Sequence, residues 1–251
     1  MDGSTAIGFR VTDWAAWAPG IETPGDWHDW VRSPVAPLGE GMPALEQVAP
    51  MQRRRIDRLG RAAIQAALAC RSPHDAGTPM VFASRHGDVA RSFALLEALC
   101  AHEPMSPTQF GLSVHNAIAA QFSIVCGERG NYTALAGGTA SVEMALVEAV
   151  GLLADGAPAV TLVACDAPAP ATYRQFLDEP DAFFAFAWRL LPAAAGEGVA
   201  MTLAWDDADV PEPPHAPPLP HALAAHRFLL SGEGELRRRV EAVGWRWRRH
   251  A

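Results

Sequence analysis

The chain is poor in cysteine: four in 251 residues, far apart and without a C-x-x-C pair. That excludes a disulfide-stapled scaffold and a cysteine-built zinc site. No apolar run comes near the roughly 18 residues a membrane-spanning helix requires. The opening, MDGSTAIGFRV, has no basic segment ahead of an apolar core, so it does not read as a secretory leader. Cys70, Cys100, Cys126 and Cys165 each have apolar neighbours, and the expectation is buried free thiols in a cytoplasmic protein. A net charge of −8 argues against a general nucleic-acid binder, whose affinity rests on arginine and lysine meeting phosphate. His215, His221 and His226 have no cysteine or carboxylate at ligand spacing, so neither a metal nor a cofactor is expected. No internal repeat is present.

What the sequence does hold is core. With 49% hydrophobic and 19% charged residues, it can bury a full interior as one large domain or two small ones. Strand-like and helix-like segments alternate, the pattern of an α/β layered fold. AIGFRV (6–11) reads as a strand, followed by a tryptophan- and proline-rich loop from Trp14 to Pro43. A helix is expected from about Met51, with Ile56, Leu59, Ala63, Ile64, Ala67 and Leu68 on one face. PMVFAS (79–84) reads as a strand, VARSFALLEALC as a helix and NYTAL (131–135) as a short strand. Val142, Leu146, Ala149, Val150 and Leu153 make a helical stripe. APAVTLVAC (157–165) reads as a strand buried on both faces, and VAMTLAW as the last strand. DVPEPPHAPPLPH is a connector, and a basic helix is expected to close the chain. Residues 1–207 then form one domain, and 208–251 the connector and helix.

The stretch ALAGGTASVEMAL (134–146) raises the functional question. A strand end, two glycines, a hydroxyl residue and a helix form the geometry that holds a nucleophile where helix N–H groups favour developing negative charge. The residue at the tip is Thr139.

The order of several blocks carries a resemblance. RRRIDRLGRAAIQAAL, MSPTQFGLSVHNAIAAQFSIVCGERGNYTALAGGTAS, LLADGAPAVTLVACDAP and GEGVAMTLAW resemble successive blocks of the N-terminal half of the β-ketoacyl synthases. From Ser106 through Ala167 the pattern has no gap. Asn116 falls on the family's N-x-x-A-G asparagine, Arg129 and Gly130 on its G-x-R-G, and Thr139 on the catalytic cysteine of its A-C-x-S-G. The opening GFRVTDWAAWAPG resembles the short branch of these proteins, the chain-length-factor-like partners of aryl polyene systems. The glycine pair before residue 139 is similar to that of aromatic-polyketide chain-length factors. Over about residues 5–205 the resemblance implies a half-thiolase fold, α/β, with a mixed, mostly parallel sheet and helices packed on it.

Function follows from the departures. A condensing synthase needs a cysteine thiolate and two histidines, which in the family belong to the C-terminal half. No NxHGTG-like or NSFGFGG-like segment occurs in these residues. Threonine cannot simply replace cysteine, because its hydroxyl needs an adjacent base. The resemblance therefore implies a non-catalytic subunit that pairs with a full-length β-ketoacyl synthase as a heterodimer, served by an acyl carrier protein. Met105, Gln109, Phe110 and Ser113 lie in the segment that lines the partner's acyl channel in the family. Asn116, Thr133, Leu135 and Thr139 complete the expected channel and interface set. Pairing is expected through the edge strand from Asn131 to Leu135. For Thr139 the competing readings are a nucleophile and a helix N-cap. His86 and His115 read as bases or as satisfied loop residues, and Asp166 and Glu197 as strand-end structure. Arg237, Arg238, Arg239, Arg246, Arg248 and Arg249 form the one concentrated basic patch and are candidates for docking an acidic carrier, against a solvated face. Two other classes stay open: a stand-alone acyltransferase or hydrolase using Thr139, and a homodimeric acyl-binding module.

Overall fold

The computed structural model describes residues 5–206 and 218–250. The chain runs β1 (Thr5–Trp17), α1 (Pro24–Arg32), α2 (Pro50–Arg53), α3 (Arg58–Cys70), β2 (Met80–Ala83), α4 (Val89–Cys100), α5 (Pro107–Leu112), α6 (Ala117–Cys126), β3 (Tyr132–Leu135) and α7 (Ser141–Ala154). It continues with β4 (Val160–Asp166), β5 (Phe184–Pro192), β6 (Val199–Asp206), α8 (His221–Ser231), β7 (Glu235–Val240) and β8 (Val243–Arg249). Among the described residues the strands form one sheet in the order β3-β2-β4-β5-β1-β6-β8-β7.

Side-chain alternation explains why the sheet is covered on both faces. On β5, Phe184, Phe186, Trp188 and Leu190 enter one core while Ala185 and Ala187 enter the other. On β4, Val160, Leu162 and Ala164 face the first core, and Val163 and Cys165 the second. The period of two in strands sends successive residues to opposite faces. α7 and α8 pack on the first side, and α3 with α6 on the second. His226 stands in the first core, stacked on Phe186 at 4.7 Å and accepting from Trp188 Nε1 at 3.1 Å. Burial holds its pKa down to about 3, so the ring is neutral and structural.

Several expectations change. The sheet is mixed but mostly antiparallel: β2 runs parallel to β3 and β4, and every other pairing is antiparallel. The cause is β5, a central strand that returns beside β4 without a crossover helix, which parallel pairing would require. β1 runs on to Trp17, and the expected loop contains α1, started by a capping box in which Thr23 Oγ1 accepts from Asp26 N and Asp26 accepts from Thr23 N. The closing basic segment is a hairpin, β7 and β8, that extends the sheet beside β6. Trp245 and Trp247 are buried on one side and Arg246 and Arg248 lie on the other, which a strand satisfies and a helix does not. Of the proline-rich connector at 209–221, residues 209–217 with His215 lie outside the described residues, as does the proposed boundary at 207/208, and the connector's last residue, His221, already opens α8. All four cysteines are free, but only Cys70 and Cys165 are buried, Cys126 is half-buried and Cys100 is exposed. No described helix is long and apolar enough to cross a membrane.

Candidate functional site

β3 ends at Leu135 and α7 begins at Ser141, so the intervening loop must reverse tightly. Gly138 takes a left-handed φ of +58°, which favours glycine. Ser141 Oγ fastens the loop, accepting from Gly137 N at 3.1 Å and donating to Gly138 O at 2.7 Å. Thr139 is left half-buried at the tip. It is not the N-cap: Ala140 holds that position, without a side-chain bond.

Thr139 opens on a cavity of about 440 Å³ shared with Met144, Glu179, His221, Val243 and Trp245. His221 is the nearest thing to a base there. Burial, with the charges of Arg238 and Arg85, lowers its pKa to about 4, so its imidazole is neutral. Glu179 accepts from the His221 backbone N–H at 2.8 Å, and the ring Nε2 stays 4.0 Å from the same carboxylate. Among the described residues no hydrogen bond joins His221 to Thr139, and the ring Nδ1 is buried without a partner. The sequence reading missed this placement because only the sheet topology brings α8 beside the α7 entry.

In the first turn of α7, Glu143 is fully buried and accepts from Trp247 Nε1 at 3.3 Å. Burial raises its pKa to about 7, against the attraction of Arg238. Arg238 is 5% exposed and belongs to this interior.

The other end of the sheet is open. Among the described residues β3 pairs with β2 alone, and no other described strand lies along the second side of its backbone. Tyr132 on β3 is 37% exposed, and α6 and α7, which both contact β3, expose Ile124 at 72% and Met144 at 43%; on and beside α5, Phe110, Val114 and Met105 are exposed as well. Such a cluster beside a free strand edge has the make-up of a protein interface. Thr133 and Leu135 are half-buried, Thr133 Oγ1 donating to Glu148 at 3.1 Å. Gln109 is exposed on α5, and Ser113 caps the end of that helix, its Oγ donating to Phe110 O at 2.8 Å.

Residues 27–248 match the family described as β-ketoacyl synthase, N-terminal domain. The chain belongs to that family. Its fold is the thiolase-like one, and a solved structure described as the ketosynthase ApeO in complex with its chain length factor ApeC, from Xenorhabdus doucetiae, contains a chain 26% identical to it. The match covers 96% of this chain and 99% of that one, with a TM-score of 0.81. A chain of the ishigamide ketosynthase/chain length factor is 18% identical with a TM-score of 0.62, over 79% of this chain and 67% of that one. A chain of AntDE:AntF, an acyl-carrier protein in complex with its ketosynthase, is 14% identical with a TM-score of 0.60, over 75% and 64%. No curated protein matches.

The remaining β-ketoacyl synthase positions divide into structural and surface residues. Gly130 is dictated by space, since a Cβ there would come within 2.7 Å of Gly77 O. Arg129 and Asn116 are exposed, Asn116 at the start of α6. His115 Nε2 lies 2.9 Å from Ser84 O, bracing a loop. Asp166 accepts from Ser84 Oγ at 2.8 Å and Arg85 N at 2.9 Å, and burial raises its carboxyl to about 6. His86 is neighboured by Arg85, and burial lowers its pKa. Glu197 is exposed and far from Asp166 in the sheet, so the two are no carboxylate pair.

The six tail arginines do not form one patch. Arg238 faces the core, and Arg249 is half-buried with Nη1 donating to Leu229 O at 3.0 Å. The alternation of β7 and β8 puts Arg237, Arg239, Arg246 and Arg248 on the outer face. There Arg237 and Arg248 share Glu235, at 2.5 and 2.9 Å, and Arg246 pairs with Asp206 at 3.3 Å.

Proposed function

We propose that this chain is a non-catalytic, chain-length-factor-like subunit that pairs with a full-length, cysteine-bearing β-ketoacyl synthase and shapes its acyl channel during polyene or fatty-acyl elongation. The open edge of β3, flanked by exposed apolar side chains, carries the reading. A strand edge with its main-chain groups unpaired is a template for sheet continuation across two subunits. The end-to-end likeness to a chain from a ketosynthase and chain length factor complex supports the same partner. Co-expression with a synthase followed by sizing tests it: a stable heterodimer is expected, and a persistent homodimer or monomer would overturn the pairing.

Thr139 supports the non-catalytic half of the proposal. Among the described residues its hydroxyl has no base in hydrogen-bond contact, and a nucleophile of this kind needs one. Thr139→Ala is expected to leave elongation by the complex within about threefold of wild type. The neutral His221 in the same cavity is the one observation favouring a hydrolase or acyltransferase instead. A fall of orders of magnitude on Thr139→Ala would move the assignment to that class.

The outer face of the β7–β8 hairpin is the carrier-docking part of the proposal, now confined to Arg237, Arg239, Arg246 and Arg248. Charge complementarity acts mainly on association rate and is screened by salt. Reversing Arg237, Arg239 and Arg248 to glutamate is expected to raise the apparent KM for carrier substrate about fivefold at low salt. The heterodimer should stay intact. Unchanged carrier kinetics with a dissociated heterodimer would make the hairpin an assembly element.

A further inference from the structure

α5 contacts α4 and α6, and every one of its residues except Leu112 is exposed. Among the described residues, only one of its side chains hydrogen-bonds to another element: Gln109 Oε1 accepts from Arg91 Nη1. Arg91 is itself fixed. Its Nε donates to Asp88 Oδ2 at 2.7 Å and its Nη2 to Asp57 Oδ2 at 2.6 Å. Both carboxylates are also helix caps: Asp57 Oδ1 accepts from Gly60 N at 2.7 Å at the start of α3, and Asp88 Oδ1 from Arg91 N at 3.0 Å at the start of α4. The side chain of Arg91 is 13% exposed. One guanidinium therefore ties α3, α4 and α5 together, and its fork geometry lets it hold two carboxylates and still present a third donor edge.

We infer that Arg91 is the positioning residue for the α5 segment, and through Gln109 sets where Met105, Phe110 and Ser113 stand against the partner's acyl channel. This rests on the subunit reading above. Arg91 itself touches no acyl group; it acts on product length by fixing the helix that does.

Lysine in place of Arg91 keeps a cation between Asp57 and Asp88 but is a point charge without the fork. In the purified complex, Arg91→Lys is expected to shift the ratio of shorter to longer products about threefold, with heterodimer yield and melting temperature close to wild type. In a Gln109→Ala background the same substitution should add no further shift, because residues acting through one contact are non-additive. A merely structural role for Arg91 would show additive effects. Should Arg91→Lys fold poorly, Asp57→Asn, which keeps the cap acceptor, is expected to shift products in the same sense. If Gln109→Trp shortens products but Arg91→Lys and Asp57→Asn leave them unchanged, or if their effects add to Gln109→Ala, the positioning role is wrong and the subunit reading stands. If Gln109→Trp too leaves products unchanged in an intact heterodimer, the channel-shaping reading falls and takes the role of Arg91 with it.

Discussion

Replacing Ala134 with proline is expected to abolish pairing with the synthase while leaving this subunit folded. Met80 N donates to Asn131 O at 3.0 Å and Ser84 N to Leu135 O at 3.3 Å. Alternate residues of a strand direct their main-chain groups to opposite sides, so Asn131, Thr133 and Leu135 serve β2, and Tyr132 and Ala134 turn theirs to the open edge. Proline at 134 removes an outward donor and sets its ring where a partner strand would lie, without touching the β2 ladder. The lost bond and the steric block together should weaken the heterodimer about a hundredfold, or roughly 2.7 kcal/mol. Titration calorimetry on the purified subunits measures this, with thermal unfolding of the isolated variant as the control. Wild-type affinity from a folded Ala134→Pro subunit would remove the edge-strand interface.

How much of this was legible in the sequence depended on whether one force dominated locally. β2, β4 and α7 were read closely because burial on both faces, or on one helical stripe, fixes their pattern. β5 went unread: FAFAWRLLP is apolar almost throughout, and such a run carries no periodicity to separate strand from helix. Its neighbour relation to β4 is what makes the sheet mostly antiparallel, so one missed strand also produced the wrong sheet sense. In the terminal segment, charge overshadowed periodicity. Trp245 and Trp247 alternate with Arg246 and Arg248, a period-two pattern that the density of arginines obscured. The capping box at Thr23 and Asp26 was a readable signal for α1 that the surrounding tryptophans and prolines hid.

The candidate site was legible where it is contiguous and hidden where it is assembled. Thr139, the glycine pair and the edge strand lie within one short stretch, and local turn chemistry announces them. Glu143 reads as a polar residue in the first turn of a helix, which is ordinary beside a helix N-terminus. Nothing local says that β8 will bury it under Trp247, or that α8 will bring His221 to the cavity at Thr139. Those facts belong to the hairpin's place in the sheet.

Glu143→Gln is expected to change how stability depends on pH, and the direction follows from the raised carboxyl. In the unfolded chain a glutamate loses its proton near its ordinary value of about 4.3, whereas burial holds the folded pKa at about 7. Below the unfolded value both states are protonated and the contribution to stability is fully present. As pH rises toward 7 the unfolded chain ionises and the folded one does not, so wild-type stability falls and the loss is complete above the folded pKa. The groups facing this carboxyl are Trp247 from β8, Arg238 from β7 and the charge of Glu179. Gln keeps an acceptor for Trp247 and has no proton to lose. Relative to wild type, Glu143→Gln should gain about 3 kcal/mol between pH 4.5 and pH 8, read from urea unfolding at the two ends. His221 and His226, with lowered pKa values, impose the opposite trend, stability falling as pH drops below about 6.5, but they do so in both proteins and cancel in the difference. A difference that stays flat with pH would mean that Glu143 is already ionised at the acid end. The hairpin would then be seated on α7 by an ion pair with Arg238 and not by a protonated acid.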